Sequence, residues 1–276
     1  MLLGDTPTGE AGIAPFVDDY SRWEYRIIHI PTATHPVSGT VDTMKVEIYS
    51  DVVCPWCYIG KVRFEKALLQ LPADKRAKIT YEWKPYQLDP SAPSTPSPVI
   101  DGYARKFGGP AKAIEIINHV TKTAAADGIT FNMEIGQRAN TIDAHRLLWM
   151  AIHDHDATLQ DALKQKLLEA YFTEGRDVAD HATLVEIAAG VGMDRDRVSA
   201  DLAGTRGLAE TRDEIRDGIE MGISAVPTFV IDGQWSIPGA QDPETFLRVF
   251  ERLAEKEVER AALESGDACA VDDPNC

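Results

Sequence analysis

Cys54-Pro55-Trp56-Cys57 is the segment of this sequence best equipped for chemistry. Two thiols one helical turn apart can close a disulfide and reopen it. Pro55 suits the first position of a helix, where its missing N–H leaves no bond unmade, so Cys54 is expected at a helix N-terminus. The helix dipole and the unpaired N–H groups there favour a thiolate, which predicts a Cys54 pKa below that of a free thiol. The chemistry would be exchange, with Cys54 as nucleophile and Cys57 resolving the mixed disulfide. Neither Pro55 nor Trp56 is cationic, so a less oxidising couple is expected than with a cation between the cysteines. Trp56 is expected to give substrate an apolar contact.

Val226-Pro227 is the second feature. A proline opening an apolar strand is usually an edge or turn device. Behind a strand–CxxC–helix unit it also fits a cis-proline facing the cysteine pair, because X–Pro bonds alone have an appreciable cis population. The backbone of Val226 would then be open to strand-like pairing with a peptide. Asp51, close to the pair, is a candidate acceptor for the proton of the buried thiol; a hydrogen bond to the loop backbone is its competing role. Zinc held by Cys54, Cys57, Cys269 and Cys276 is the alternative for four cysteines. Six residues separate the tail cysteines and the first pair sits at a strand-to-helix junction, so no metal and no bound cofactor is expected.

Those residues need elements to hold them. Val46, Ile48 and Tyr49 form a strand that runs into the cysteines. Ile59, Val62, Ala67, Leu68 and Leu71 recur at helical spacing behind them. Ile79 to Tyr86 reads as a second strand, closed by a Pro/Ser-rich stretch. From Ser97 to about Gly222 the pattern is helical. Helices are expected to start near Pro98 and Pro110, to run to His155 behind the caps Asn140 and Thr141, and to cover 158–173, 181–189, 194–203 and 208–221. Ala225 to Ile231 is β-branched and apolar, Asp232-Gly233 is a hairpin turn, and Gln234 to Ile237 is its partner strand. A long amphipathic helix follows from about Pro243 to Leu263. The order is α/β, with a helical block set between two halves of one sheet. The expected domains are an N-terminal extension over 1–43, possibly unstructured, a discontinuous sheet domain over 44–96 and 223–264, the inserted helical domain over 97–222, and an acidic cysteine-bearing tail over 265–276.

The formal net charge is −16. Nucleic-acid binding needs clustered Lys and Arg and anionic membranes repel such a surface, so neither partner is expected. No apolar run nears the ~20 residues of a membrane span, and residues 1–43 lack the order of a signal peptide. A cytoplasmic location is expected, where structural disulfides are rare and cysteines more often act in redox chemistry or metal binding.

Ser50-Asp51-Val52-Val53-Cys54-Pro55-Trp56-Cys57-Tyr58-Ile59-Gly60 resembles the active site of DsbA-family proteins, in particular the FrnE-type branch. Asn140-Thr141 with Ala144-His145-Arg146 resembles a helix start of that branch. Ala225-Val226-Pro227-Thr228-Phe229 and Gly239-Ala240-Gln241 resemble its C-terminal half. The resemblance spans about Met44 to Glu255. It implies a thioredoxin-like fold with an inserted helical domain, and dithiol–disulfide exchange on disulfide-containing or unfolded proteins and small thiols, with glutathione as a redox co-substrate. Val226, Thr228 and Asn140 are expected beside the substrate; His145 is a candidate for the same border, with a partly buried packing role on its helix as the competing reading. Kappa-class glutathione transferases and 2-hydroxychromene-2-carboxylate isomerases are similar in fold, but carry Ser where this chain has Cys54. A redox-switched chaperone is the reading outside enzymology.

Cys269 and Cys276 lie among Asp267, Asp272 and Asp273, whose charge should raise both thiol pKa values. Exchange would then leave the tail oxidised and Cys54–Cys57 reduced. A last helix of about 30 Å and a tail reach of about 20 Å favour transfer between molecules. Oligomeric state is not legible in the sequence.

Overall fold

The computed structural model describes residues 28–29, 43–92, 95 and 97–265. In chain order the elements are β1 (Ile28–His29), β2 (Met44–Ser50), α1 (Pro55–Gln70), the short α2 (Ala73–Arg76) and β3 (Ile79–Pro85). The inserted block follows: β4 (Ser97–Pro98), α3 (Val99–Phe107), α4 (Pro110–Ala126), β5 (Gln137–Arg138), α5 (Ile142–Asp154), α6 (Ala157–Phe172), α7 (His181–Gly190), α8 (Arg195–Ala203) and α9 (Leu208–Glu220). The chain then returns with β6 (Thr228–Ile231), β7 (Trp235–Pro238) and α10 (Pro243–Ser265).

Strands from both sides of the insert share one sheet, in the order β1-β7-β6-β2-β3. β2 runs parallel to β3 and antiparallel to β6, with Ile48 opposite both Trp83 and Phe229. The parallel pair needs a crossover, which α1 supplies. Period-two alternation sorts the side chains. Val46, Ile48, Phe229 and Ile231 face α1 and α10, where the buried Phe64 ring meets Tyr81, Phe229, Phe246 and Phe250 at centroid distances of 5.2 to 6.2 Å. Tyr49 and Val230 face the other way, with Ile223.

The helices of the insert enclose a second core around Leu147, Leu163, Leu167 and Phe172. Val52, Tyr58 and Ile59 belong to that core, whereas Phe64, Ala67 and Leu68 belong to the sheet core. One helix, α1, therefore begins in one core and ends in the other, and its first turn lies at their junction. Polar contacts cross the same junction. Gln160 on α6 accepts from Trp83 N at 2.8 Å and donates to Trp83 O at 3.0 Å. Arg63 on α1 reaches Asp127 at the end of α4 at 2.7 Å.

Several boundaries differ from the sequence reading for local reasons. The strand expected from Ala225 begins at Thr228, because Pro227 has no N–H to give a ladder. Helix α6 starts one residue early, because Asp156 caps it by accepting from Leu159 N at 2.9 Å. Thr141 makes no side-chain cap; Asn140 Oδ1 takes the Ile142 N–H at 3.1 Å instead. The β4–β5 pair gave no periodic signal at two residues per strand. Asp232 and Gly233, at φ 50° and 66°, supply the left-handed pair a tight hairpin requires.

Gly218 lets α9 lie against the sheet. A Cβ there would fall 2.5 Å from Tyr49 Cε1. Overpacking of this kind costs ~1–3 kcal/mol, against a helix-propensity gain of ~1 kcal/mol. Gly218→Ala should therefore lower the urea midpoint at unchanged m-value, and an unaltered midpoint would show that α9 shifts freely.

Candidate active site

Ser50 ends β2, and the chain turns through Asp51, Val52 and Val53 into α1, with Cys54 N donating to Asp51 O at 3.3 Å. Cys54 holds the cap position in extended backbone (φ −91°, ψ 114°), and Pro55 follows at the start of the helix. Its carbonyl accepts from Cys57 N at 3.0 Å and Tyr58 N at 3.4 Å. Cys57 is therefore one turn in. Both thiols are free and buried, Cys57 completely.

The opposite wall comes from the far end of the sequence. The Val226–Pro227 peptide is cis, and Cys54 Sγ donates to Val226 O at 3.6 Å. Pairing of β6 with β2, Thr228 opposite Tyr49, brings this segment to the cysteines. Thr228 Oγ1 donates to Ala225 O at 2.8 Å and Gly239 N to Pro227 O at 2.8 Å, fixing the turn from both sides. The hydroxyl of Thr228 is thus directed into its own loop. Gly60, on the next turn of α1, leaves room for Pro227, whose Cγ would lie 2.8 Å from a Cβ there.

The thiols form one coupled pair with unequal surroundings. Burial pushes Cys54 well above the usual thiol range, and the facing Cys57 sulfur adds to this. Burial also acts on Cys57, but the Cys54 thiol, the Lys164 ammonium, the Ser50 hydroxyl and the Asp51 backbone outweigh it and bring Cys57 down. The two directions are opposite, Cys54 raised and Cys57 lowered, where the helix terminus alone predicts a lowered Cys54. A single proton shared across the pair can still pass from Cys54 to Cys57 as Cys54 attacks.

Asp51 is fully buried and its carboxylate is engaged on both oxygens. Oδ2 accepts from Leu88 N at 2.8 Å, and Oδ1 lies 3.2 Å from His145 Nε2. His145 Nε2 also lies 3.0 Å from Tyr86 O. Two acceptors at one nitrogen assign the proton to Nε2, and Nδ1 is left buried with no partner among the described residues. His145 is thus buried and bonded behind Asp51. Asn140 is likewise consumed by structure. It accepts from Gln87 Nε2 at 3.1 Å and donates to Pro90 O and Ala92 O at 3.2 and 3.1 Å, tying the loop after β3 to the start of α5. Trp56 is half-buried against the insert, its ring 6.2 Å from His119 on α4.

The structure adds groups that the sequence reading passed over. Tyr103 on α3 and Tyr86 after β3 both lie within electrostatic reach of Cys54, and burial raises both phenols. Lys164 on α6 lies near Cys57 and is completely buried. Among the described residues, no group of three or more His, Cys, Asp or Glu could hold a metal, and no helix is long and apolar enough to cross a membrane. Cys269 and Cys276, with the proposed tail couple and the four-cysteine zinc alternative, lie outside the described residues.

Comparison with known proteins agrees with this fold. The model of the DSBA-like thioredoxin domain family matches residues 45–251. An uncharacterized protein of Bacillus subtilis, YwbO, is 27% identical over 213 residues, 75% of this chain and 96% of its own. The crystal structure of a probable DsbA oxidoreductase from Streptomyces coelicolor is 33% identical with a TM-score of 0.71, covering 78% of this chain and 91% of that one. A cytosolic disulfide reductase of Pseudomonas aeruginosa, DsbM with GSH, shares the fold at 17% identity and a TM-score of 0.53, over 76% of this chain and 99% of that one.

Proposed function

This chain belongs to the DSBA-like thioredoxin domain family, whose general work is thiol–disulfide oxidoreduction, and from that premise we propose that it exchanges dithiols for disulfides through Cys54 and Cys57. One observation carries the reading: Cys54 caps α1, Cys57 lies one turn behind it, and Cys54 Sγ faces Val226 O beside Pro227. Cys54 attacks the substrate disulfide, its proton passing to Cys57. Cys57 then attacks Cys54, closes the protein disulfide and releases the second substrate thiol. Val226 borders the attacking sulfur on one side, with Trp56 two residues along on the other, and together they receive a polypeptide or small disulfide. Oxidised or unfolded proteins and glutathione are the substrates this reading assigns, in a cytoplasmic setting; both the reducing and the isomerising directions use the same steps. The GSH in the DsbM structure supports glutathione as co-substrate by analogy of fold alone.

Transferase or isomerase chemistry of the 2-hydroxychromene-2-carboxylate type is the competing reading, since an isomerase of that type shares the fold at 15% identity. Two adjacent thiols in one closed site favour exchange over that chemistry. The discriminating experiment equilibrates the protein in glutathione buffers of graded ratio, blocks free thiols and identifies them by peptide mass. A Cys54–Cys57 disulfide that forms and reopens reversibly is the expected result. A pair that never closes would remove the redox reading, and holdase activity surviving Cys54→Ser would move the chaperone reading forward.

A further inference from the structure

Lys164 is a lysine where α6 should be apolar. Its side chain is completely buried, and Nζ makes no hydrogen bond with any described residue. A buried ammonium without a partner is costly, so its charge must be compensated from nearby. Nζ lies 5.3 Å from the centroid of the Trp83 ring, and Lys61 lies 5.7 Å from the same ring. The two lysines differ in one respect. Lys61 is bonded to Glu65 and paired with Asp161 Oδ1 at 3.1 Å, whereas Lys164 has no carboxylate hydrogen-bonded to it among the described residues. The negative groups acting on it are, in order, Cys57, Asp51 and Cys54, while Lys61 opposes them. Asp51, whose oxygens accept from Leu88 N and face His145 Nε2, is a second negative charge acting on Lys164. Helix α7 brings the apolar Leu184, Ile187 and Ala188 to the core that α6 shares. The largest of the compensating charges is Cys57 of the cysteine pair, and it is the one that redox chemistry removes.

We propose that Lys164, carried by the inserted helical block, is the counter-ion of the Cys57 thiolate and gives up its own proton when the Cys54–Cys57 disulfide forms. This rests on the exchange reading above and adds the proton balance to it. The reduced site holds one thiol proton on Cys54, a thiolate on Cys57 and an ammonium on Lys164, neutral in sum. Two electrons pass to the substrate disulfide, whose S–S bond breaks while the Cys54–Cys57 bond forms. The Cys54 proton and one Lys164 proton go to the two substrate thiols, and the site ends as a disulfide beside a neutral amine. Burial already pulls Lys164 down to about 8 with the thiols beside it to raise it. Closing the disulfide removes the thiol share of that support and leaves Asp51 alone against burial and Lys61, so Lys164 moves further down, toward the amine. The insert thereby senses the redox state of the sheet domain through one buried charge.

The test uses the full chain with Cys269 and Cys276 changed to Ser, so that thiolate absorbance near 240 nm reports the active pair alone. Lys164→Met keeps length and burial; because removing one partner of a buried pair is destabilising, Lys164→Gln serves as a second uncharged variant should Met fail to fold. In the variant, the first thiolate should appear at least one pH unit higher than in the parent. The equilibrium with glutathione should shift tenfold or more toward the protein disulfide, about 30 mV for two electrons. A residue that merely fills the core would move neither quantity. A folded variant with an unchanged thiolate titration and an exchange constant within threefold of the parent overturns the proposal. If the parent forms no Cys54–Cys57 disulfide at all, the exchange reading fails, and the thiolate titration alone still decides the role of Lys164.

Discussion

Cys57→Ser is expected to convert the protein from a turnover catalyst into a trap. Freed of the Cys57 sulfur that helps to push it up, Cys54 would ionise on its own, attack a substrate disulfide and stop at the mixed disulfide, because no second thiol stands behind it. In the native chain Cys57 is held one turn from Cys54 by the Cys57 N to Cys54 O bond of 3.0 Å, which makes resolution intramolecular. Effective concentrations of well-oriented groups far exceed the millimolar thiol of a cell, so turnover should fall on the order of 10³-fold or more. Intact-protein mass should show one substrate thiol added per chain, removed by strong reductant. Cys54→Ser should add none. Equal labelling of the two variants, or a Cys57→Ser protein that still turns over at more than a tenth of the native rate, would falsify the assignment of attacking and resolving roles. Cys57→Ala repeats the test without a hydroxyl in the buried site.

The site was legible in part, and the legible part is local. Cys54-Pro55-Trp56-Cys57 announces its helix start through Pro55, and a strand–hairpin signal at Ala225 to Ile237 places Pro227 at a strand entrance. What the sequence cannot announce is which side chains of a distant helix arrive behind the cysteines. Asn140 and His145 stand near one another in sequence, and only the fold shows them spent on the Gln87–Ala92 loop and on Asp51. A helix terminus, readable from spacing, favours a lowered pKa at Cys54, whereas the burial that raises it and a lysine from α6 cannot be read that way. Even so, α6 carried a trace. Gln160, Leu163, Lys164, Leu167, Leu168 and Tyr171 are all buried, and they follow the i, i+3, i+4, i+7 stripe of a helix face. A glutamine and a lysine on that stripe are polar groups at core positions. Gln160 bridges to Trp83, and Lys164 lies within electrostatic reach of Cys57. Reading apolar residues alone along the stripe hides both.

Gly60→Ala is expected to cost more activity than any other single added methyl in the described chain, and the reason is how little its neighbours can yield. The new Cβ would lie 2.8 Å from Pro227 Cγ and 3.5 Å from Cα and Cβ of Ala240. A proline ring has no free side-chain torsion with which to swing away. Ala240 is held from the same helix, since Arg63 Nη1 donates to Ala240 O at 2.8 Å and pairs with Asp242 at 2.9 Å. Gly239 N is bound to Pro227 O, so relief in one loop moves the other. The displacement reaches Val226 O, the group that Cys54 Sγ faces at 3.6 Å. Misplacement near 1 Å at a reacting centre can cost about 10²-fold, and overpacking should remove ~1–3 kcal/mol of stability against ~1 kcal/mol gained by alanine in a helix. The expected result is therefore a protein that remains folded at 25 °C while its kcat/KM on a disulfide peptide falls at least tenfold. The pair must also keep both thiols titratable, which separates a displaced Pro227 wall from a collapsed site. Native kcat/KM in folded Gly60→Ala would mean that the wall opposite Cys54 is set by β6 pairing alone and not by its contact with α1.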